Sequence, residues 1–317
     1  MPNYSGVWSL SQQFQAVGQG LWPVPDGTFA IFTLGATTGC VPTTTRNKYT
    51  YSGDAVSAGT AATAATRNGS AAGNSTVGIF ALGTVSCANS TIRDKYTYVG
   101  CVVSAGGAAT AASRQGSATG NSTVGIFALG AACPAVTTRN KYTYSGCVVS
   151  AGGAATAASF AGSAAGNSTT GIFALGFVAC VASTTRNKYT YAGDVVAAGG
   201  AATVASYSGS AAGNGTLGIF ALGQNSSAVR VTTRDKYTYS GCVVSAGGAA
   251  TVASANGSAA GNSTVGIFAL GSTAGCVLVT TRNKYTYSGC VVSAGGAATA
   301  ASYRGSAAAN GAIGVTL

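Results

Sequence analysis

One phrase returns six times along this chain and restricts its fold more than any other feature. In its commonest form it reads TTRNKYTYSG, and its lysines are Lys48, Lys95, Lys141, Lys188, Lys236 and Lys284. They are separated by 47, 46, 47, 48 and 48 residues. A second phrase, GIFALG, begins at Gly78, Gly125, Gly171, Gly218 and Gly266. A period in the forties belongs to propeller blades or helical arrays. The repeats are rich in Val, Thr, Tyr and Gly and lack the 3.6-residue apolar spacing of helices, so strands are expected.

Each repeat reads as four strands. The first is small, as in Gly69–Ala72, and Gly73-Asn74 turns it back through a tight hairpin. The second is Thr76–Leu82, carrying Ile79 and Phe80. A variable loop follows. The third, in the first repeat, is Thr44–Tyr51, and Ser52-Gly53 turns it into a fourth from Ala55 to about Thr63. Four antiparallel strands repeated in a ring make a β-propeller. The Ser-Ala-Ala strand suits a crowded axis, and Ile, Phe and Tyr suit the wider space outside it.

The chain starts and ends partway through a repeat. Counting Thr28–Leu34 and Ala312–Leu317 as second strands gives an expectation of seven blades, one of them built from both termini. That closure would leave no open ring edge. Six blades with an N-terminal extension is the alternative. Residues 1–27 then form a closing or anchoring segment, and residues 28–317 the repeats.

Composition narrows the chemistry. The chain of 317 residues has no His and only five acidic residues, all Asp. It therefore has no Ser-His-Asp triad, no Cys-His pair and no His-bound metal. A paired-carboxylate glycosidase site is not expected either. No cofactor and no metal are expected, and the chain reads as a structural or binding protein rather than an enzyme. It has no run of 18 apolar residues. Met1–Leu10 lacks the basic and apolar order of a Sec signal.

Arg and Lys stand two apart in every repeat: Arg46 and Lys48, Arg93 and Lys95, Arg139 and Lys141, Arg186 and Lys188, Arg234 and Lys236, Arg282 and Lys284. In a strand such pairs share one face. Asn47, Tyr49 and Tyr51, with their counterparts, take the other. The twelve cations supply most of the net charge of +11. They are a candidate basic ring, facing outward towards acidic polymers. The structural alternative is that they solvate outer strands and guard edges. Nucleic acid is a weak expectation, because the tyrosines lie opposite the cations and are expected to pack between blades. The phenylalanines at 80, 127, 173, 220 and 268 read first as core. The variable loops, Thr84–Ser90, Ala131–Val136, Phe177–Ser183, Gln224–Val231 and Ser272–Val279, differ most between repeats, so ligand specificity is expected there.

Nine cysteines fall in two registers. Cys40, Cys87, Cys133, Cys180 and Cys276 lie eight residues before the repeat lysine, with Ala228 replacing one. Cys101, Cys147, Cys242 and Cys290 lie six after it, with Asp54 and Asp194 replacing two. The registers lie near opposite ends of the third strand, too far apart to pair within a repeat. Three readings stay open: small buried or turn residues, pairs between blades, and links between chains of a homo-oligomer.

The layout from Lys48 through Tyr49 to Gly83 resembles a kelch repeat: a Tyr near a strand end, a turn, a small strand, then an apolar strand ending in Gly. The resemblance covers residues 28–317 and implies a kelch-like β-propeller. It departs from kelch where the Gly-Gly doublet is reduced to Leu-Gly and the Trp position holds Val or Ala. The copper chemistry of kelch-type galactose oxidases needs His ligands that this chain lacks. Residues 5–23, SGVWSLSQQFQAVGQGLWP, resemble the opening segment of bacteriophage, notably cyanophage, structural proteins. Trp8, Gln13, Phe14, Gln19, Trp22 and Pro23 carry that match. It implies a virion component, such as a tail fibre, appendage or capsid decoration, with Trp8, Phe14 and Trp22 as anchoring candidates or as core of the closing blade. The partners implied are other virion proteins, while an acidic host-surface glycan is the partner expected from the basic ring. A bacterial cell-surface or extracellular adhesion propeller is the alternative.

Overall fold

The computed structural model describes residues 27–131 and 134–310. The described chain is all-β and holds six four-stranded antiparallel sheets. The third sheet shows the pattern: Ser117–Gly120, Val124–Ala128, Arg139–Thr143 and Val148–Gly152, in that order across the sheet. Ile126 stands opposite Lys141 and Phe127 opposite Asn140. The strands are a little shorter than the sequence suggests. The expected fourth strand to about Thr63 stops at Gly59, where the small-residue connector to the next sheet begins.

The first sheet is composite. Its first strand, Ser306–Ala309, comes from the far end of the chain and pairs with Phe29–Thr33. Arg46–Thr50 and Ala55–Gly59 complete it. No hairpin joins its first two strands, and side chains supply extra fastening. Thr33 occupies a position held by Ala in the other five sheets. Its hydroxyl lies 2.8 Å from that of Ser306 and also accepts the Ser306 amide at 2.8 Å. Phe29 donates its amide to Asn310 Oδ1 at 2.9 Å. Thr28–Leu34 thus supplies a second strand, while Ala312–Leu317 lies outside the described residues.

Both glycines of GIFALG have a steric reason. A Cβ on Gly78 would sit 2.7 Å from Tyr98 Oη and 3.2 Å from Ala308 of the neighbouring sheet. Gly83 has a φ of +71°, with backbone atoms of Asn68 where a side chain would go. Gly73 does not take a positive φ. The turn after it is instead built by Asn74, whose Oδ1 accepts the amides of Thr76 and Val77 at 2.9 Å each.

Successive sheets pack face to face through aromatic clusters, as where Ala72 and Ile79 of the second sheet meet Phe127, Tyr142 and Tyr144 of the third. The first strands touch one another in cyclic order, the sixth sheet reaching the first. At one end of these strands the backbone itself closes the cycle. Asn68, Gln115, Ala161, Ser208, Asn256 and Arg304 each have φ between +54° and +61°. Each donates its amide to the carbonyl of its predecessor at 2.7–2.9 Å, and Asn68 donates to Arg304 at 2.8 Å. Hydrogen-bonded neighbours about 5 Å apart make a hexagon of about 5 Å radius, so the axial opening there is narrow. At the other end, Asn74 Nδ2 donates to Ser122 O of the next sheet at 2.9 Å, and Asn262 repeats the contact across the chain ends, to Gly27 O at 3.1 Å.

The variable loops hold short ribbons. Thr84–Val85 pairs with Ala88–Asn89 and with Thr66–Arg67, and Phe177–Val178 pairs with Val181–Ala182 and with Ser159–Phe160. Chain order puts all of these at the end that carries the backbone ring. The Asn turns and the Ser-Gly turns lie at the other. No helix of the described residues is long and apolar enough to cross a membrane.

Candidate functional site

The six arginines of the expected basic ring are not on the surface. Arg46, Arg93, Arg139, Arg186, Arg234 and Arg282 are 0–1% exposed. Each reaches across the seam to the following sheet. Arg46 and Arg186 donate to Asp94 and Asp235 at 2.7 Å, and Arg93, Arg139, Arg234 and Arg282 donate to Asn140, Asn187, Asn283 and Asn47 at 3.0–3.1 Å. The last of these bonds joins the sixth sheet to the first, so the cycle is complete. Each guanidinium also stacks over a Phe of the next sheet, 4.5–4.7 Å from its ring centre. Shared strand parity put the cations on one face correctly, but that face is packed, not solvated. The reason is chemical: a planar guanidinium can cover an aromatic ring and meet an Asn or Asp oxygen at once.

Asn and Asp serve this seam with opposite proton arrangements. Asp94 accepts the Thr63 hydroxyl at 2.6 Å and its amide at 3.0 Å. Asn140 accepts the Thr110 amide at 3.1 Å and donates Nδ2 to the Thr110 hydroxyl at 2.8 Å. Desolvation lowers every seam arginine. Arg93, Arg139, Arg234 and Arg282 fall to about 10, still charged at neutral pH. Arg46 and Arg186 are lowered by desolvation against the opposing pull of their aspartates.

The lysines lie farther out and are half-buried. Lys141 pairs with Asp194 at 3.0 Å and Lys284 with Asp54 at 3.1 Å, their side chains about a quarter exposed (26% and 25%). Both aspartates also accept a tyrosine hydroxyl, Tyr189 at 2.7 Å and Tyr49 at 2.6 Å. Lys48 instead lies 4.3 Å over the ring of Phe29. In the other four sheets the Asp54 position holds Cys101, Cys147, Cys242 or Cys290. The eight described cysteines are all free thiols. All eight have positive φ, so both registers are turn positions. Cys40, Cys87, Cys180 and Cys276 are exposed at ribbon tips. Among the described residues no group of three His, Cys, Asp or Glu could hold a metal ion.

The four acids among the described residues are therefore all spent. Asp54, Asp94, Asp194 and Asp235 each pair with a seam cation. The four remaining arginines, Arg67, Arg114, Arg230 and Arg304, all fall on the ribbon end. None has an acidic partner among the described residues. Arg67 reaches Cys40 O at 3.4 Å, and Arg230 reaches Ser272 Oγ at 3.3 Å and Cys276 Sγ at 3.5 Å. Arg304 lies 5.0 Å over the ring of Tyr303. Nε makes no hydrogen bond in these four, as in the six seam arginines.

The same end carries aromatics outside the repeat pattern. Phe177 packs on Tyr207 with ring centres 3.9 Å apart and on Phe160 at 5.2 Å. All three are half-buried. The order of the backbone ring places Arg304, Arg67 and Arg114 in consecutive sheets, followed by Phe160 and Tyr207. The ribbon end thus carries arginines in three consecutive sheets beside an aromatic cluster, with Arg230 farther round in the fifth sheet and Tyr303 next to Arg304, none of which the regular phrases reveal. The signal was present in residues 67, 114, 160, 207 and 304, which break the repeat just before the Gly-Ser that opens each first strand. Trp8, Phe14 and Trp22 lie outside the described residues.

Two clefts between sheets at this end, among the described residues, are small. One lined by Asn256, Ser258, Arg282 and Tyr303, and its counterpart at Ser163, Arg186 and Tyr207, each leave room for about one water. No family model matches the chain, and no curated protein matches it.

Proposed function

We propose that the chain is a six-bladed, kelch-like β-propeller that acts as a non-enzymatic display scaffold on a phage virion, with its ribbon end turned to the host surface. Six four-stranded sheets in cyclic contact, one of them composite, support the propeller and favour six blades over seven. The observation that carries the functional reading is a contrast within the molecule. Seam residues recur in all six sheets, whereas the ribbon end differs from sheet to sheet and holds the four arginines that are not buried in a seam. A rigid ring presenting one irregular face is an arrangement for binding. The virion location rests on the resemblance of residues 5–23 to phage structural proteins.

The test is gold-antibody labelling of purified phage particles, together with attachment of the purified chain to host cells. Label at one place on the particle and saturable attachment are the expected results. Label on bacterial surfaces and none on particles would replace the virion reading with a cell-surface adhesion propeller.

A further inference from the structure

We infer that the ribbon end binds an anionic polysaccharide, its acid groups on Arg304, Arg67 and Arg114 and a sugar ring on the Phe160–Phe177–Tyr207 cluster. The inference rests on the proposal that this end is the binding face, and it names the ligand class.

Charge comes first. The four described carboxylates are committed to the seams. The ribbon arginines have no internal counter-ion, and unlike the buried seam arginines bonded to Asn they are only half-buried, so an external anion can reach them. A second copy of the chain is a poor occupant, because it would bring the same cations face to face. Guanidinium groups donate in a fork that fits carboxylate and sulfate alike.

The aromatics narrow the class. Single-stranded nucleic acid is held by rings spaced to stack successive bases. Here the three rings are packed on one another at 3.9 and 5.2 Å, which leaves one platform and no slots between rings. A platform of that kind buries the apolar face of one sugar. With arginines in the three preceding sheets, a polymer lying around the axis meets charge contacts first and a stacking contact next. A single small acid could not use both sectors.

The full-length chain would be tested by calorimetry against polygalacturonate, dextran sulfate, neutral dextran and double-stranded DNA. Saturable binding to one or both acidic polysaccharides, with neutral dextran silent, is expected. The two acidic probes distinguish carboxylate from sulfate as the recognised group. Arg67→Ala with Arg114→Ala should weaken binding at least about tenfold, since each removes charged hydrogen bonds. Phe177→Ala should weaken polysaccharide binding several-fold and leave any residual DNA binding unchanged. Equal binding of DNA and polysaccharide, unmoved by Phe177→Ala, would overturn the inference in favour of plain charge attraction. No binding to either acidic polysaccharide would also overturn it. If the ribbon variants then still lost attachment to host cells, the binding-face proposal would survive with a different ligand. If they kept it, both would fall. Thermal unfolding of each variant separates lost contact from lost fold.

Discussion

Arginine occurs in two settings here, and the contrast explains how the molecule uses charge. Arg46 and its five equivalents lie in the seams, each bonded to an Asn or Asp and stacked on a Phe. Arg67, Arg114, Arg230 and Arg304 lie on the ribbon end, half-buried and with no acidic partner. Seam arginines act as fasteners between sheets, while the ribbon arginines leave charge free for something outside. A count of cations, however large, does not separate these roles. Burial and a stacked Phe do, since four seam arginines bond a neutral Asn rather than an acid.

The largest expected effect breaks a seam. Arg46→Ala leaves the Asp94 carboxylate buried with only Thr63 for company. Removing one partner of a buried ion pair costs about 3–5 kcal/mol. Urea unfolding should show that loss, and adding Asp94→Asn should recover part of it, because Asn serves four of the six seams. Should Arg46→Ala unfold at the parent's urea midpoint, the seams are not what holds neighbouring sheets together.

A second test titrates all seams at once. Burial raises the seam tyrosines, with Tyr96 and Tyr285 reaching about 12. A phenol whose folded value lies above its unfolded value of about 10 keeps its proton longer when folded. Its stability contribution is whole below pH 10 and is lost as pH rises through the folded value. The arginines lowered to about 10 work the other way, since neutralisation relieves their burial. The tyrosines are more numerous, so the melting temperature should fall above pH 10, together with a cooperative rise in tyrosinate absorbance. Tyrosines that ionise near pH 10 while the fold persists would contradict their burial.

How much of this was legible depended on what alternation can convey. Strand order, the Asn and Ser-Gly turns and the small first strands could be read because a period of two and turn chemistry are local. Arg46 and Lys48 were correctly placed on one face. Which face meets a neighbour is a property of packing, and nothing local in RNKYT states it. A clue lay one residue on: every seam arginine is followed by Asn or Asp, both able to accept from a guanidinium. The ribbon site was harder to see. Phe160, Phe177 and Tyr207 are 17 to 47 residues apart in the chain and meet only because the ribbons of adjacent sheets touch.

Smaller effects sharpen the comparison within the seams. Cys147 occupies the position at which Asp54 and Asp194 bind a tyrosine and a lysine, and its φ of 56° matches theirs of 52° and 54°. The seam it borders has no acid, since its inner acceptor is Asn140. Cys147→Asp should therefore gain the Lys95 and Tyr142 contacts and stabilise by about 0.5–1 kcal/mol, discounted for partial exposure. The melting temperature should rise at low salt and lose part of the gain at high salt. A fall would mean that the seams are not equivalent.

The smallest stability effect is expected on the ribbon end. Arg67→Ala with Arg114→Ala removes two cations that have no acidic partner to leave stranded. Surface changes that strand no buried partner stay within about 0.5 kcal/mol. The sign should be neutral or slightly stabilising, because the chain carries a net charge of +11 and sheds some self-repulsion. That outcome would set the two arginine settings apart by a factor of several in stability, and in the reverse order for binding. A loss of about 2 kcal/mol or more, well beyond what such a surface change costs, would instead make the ribbon arginines fasteners too and remove the reason to expect an external anion.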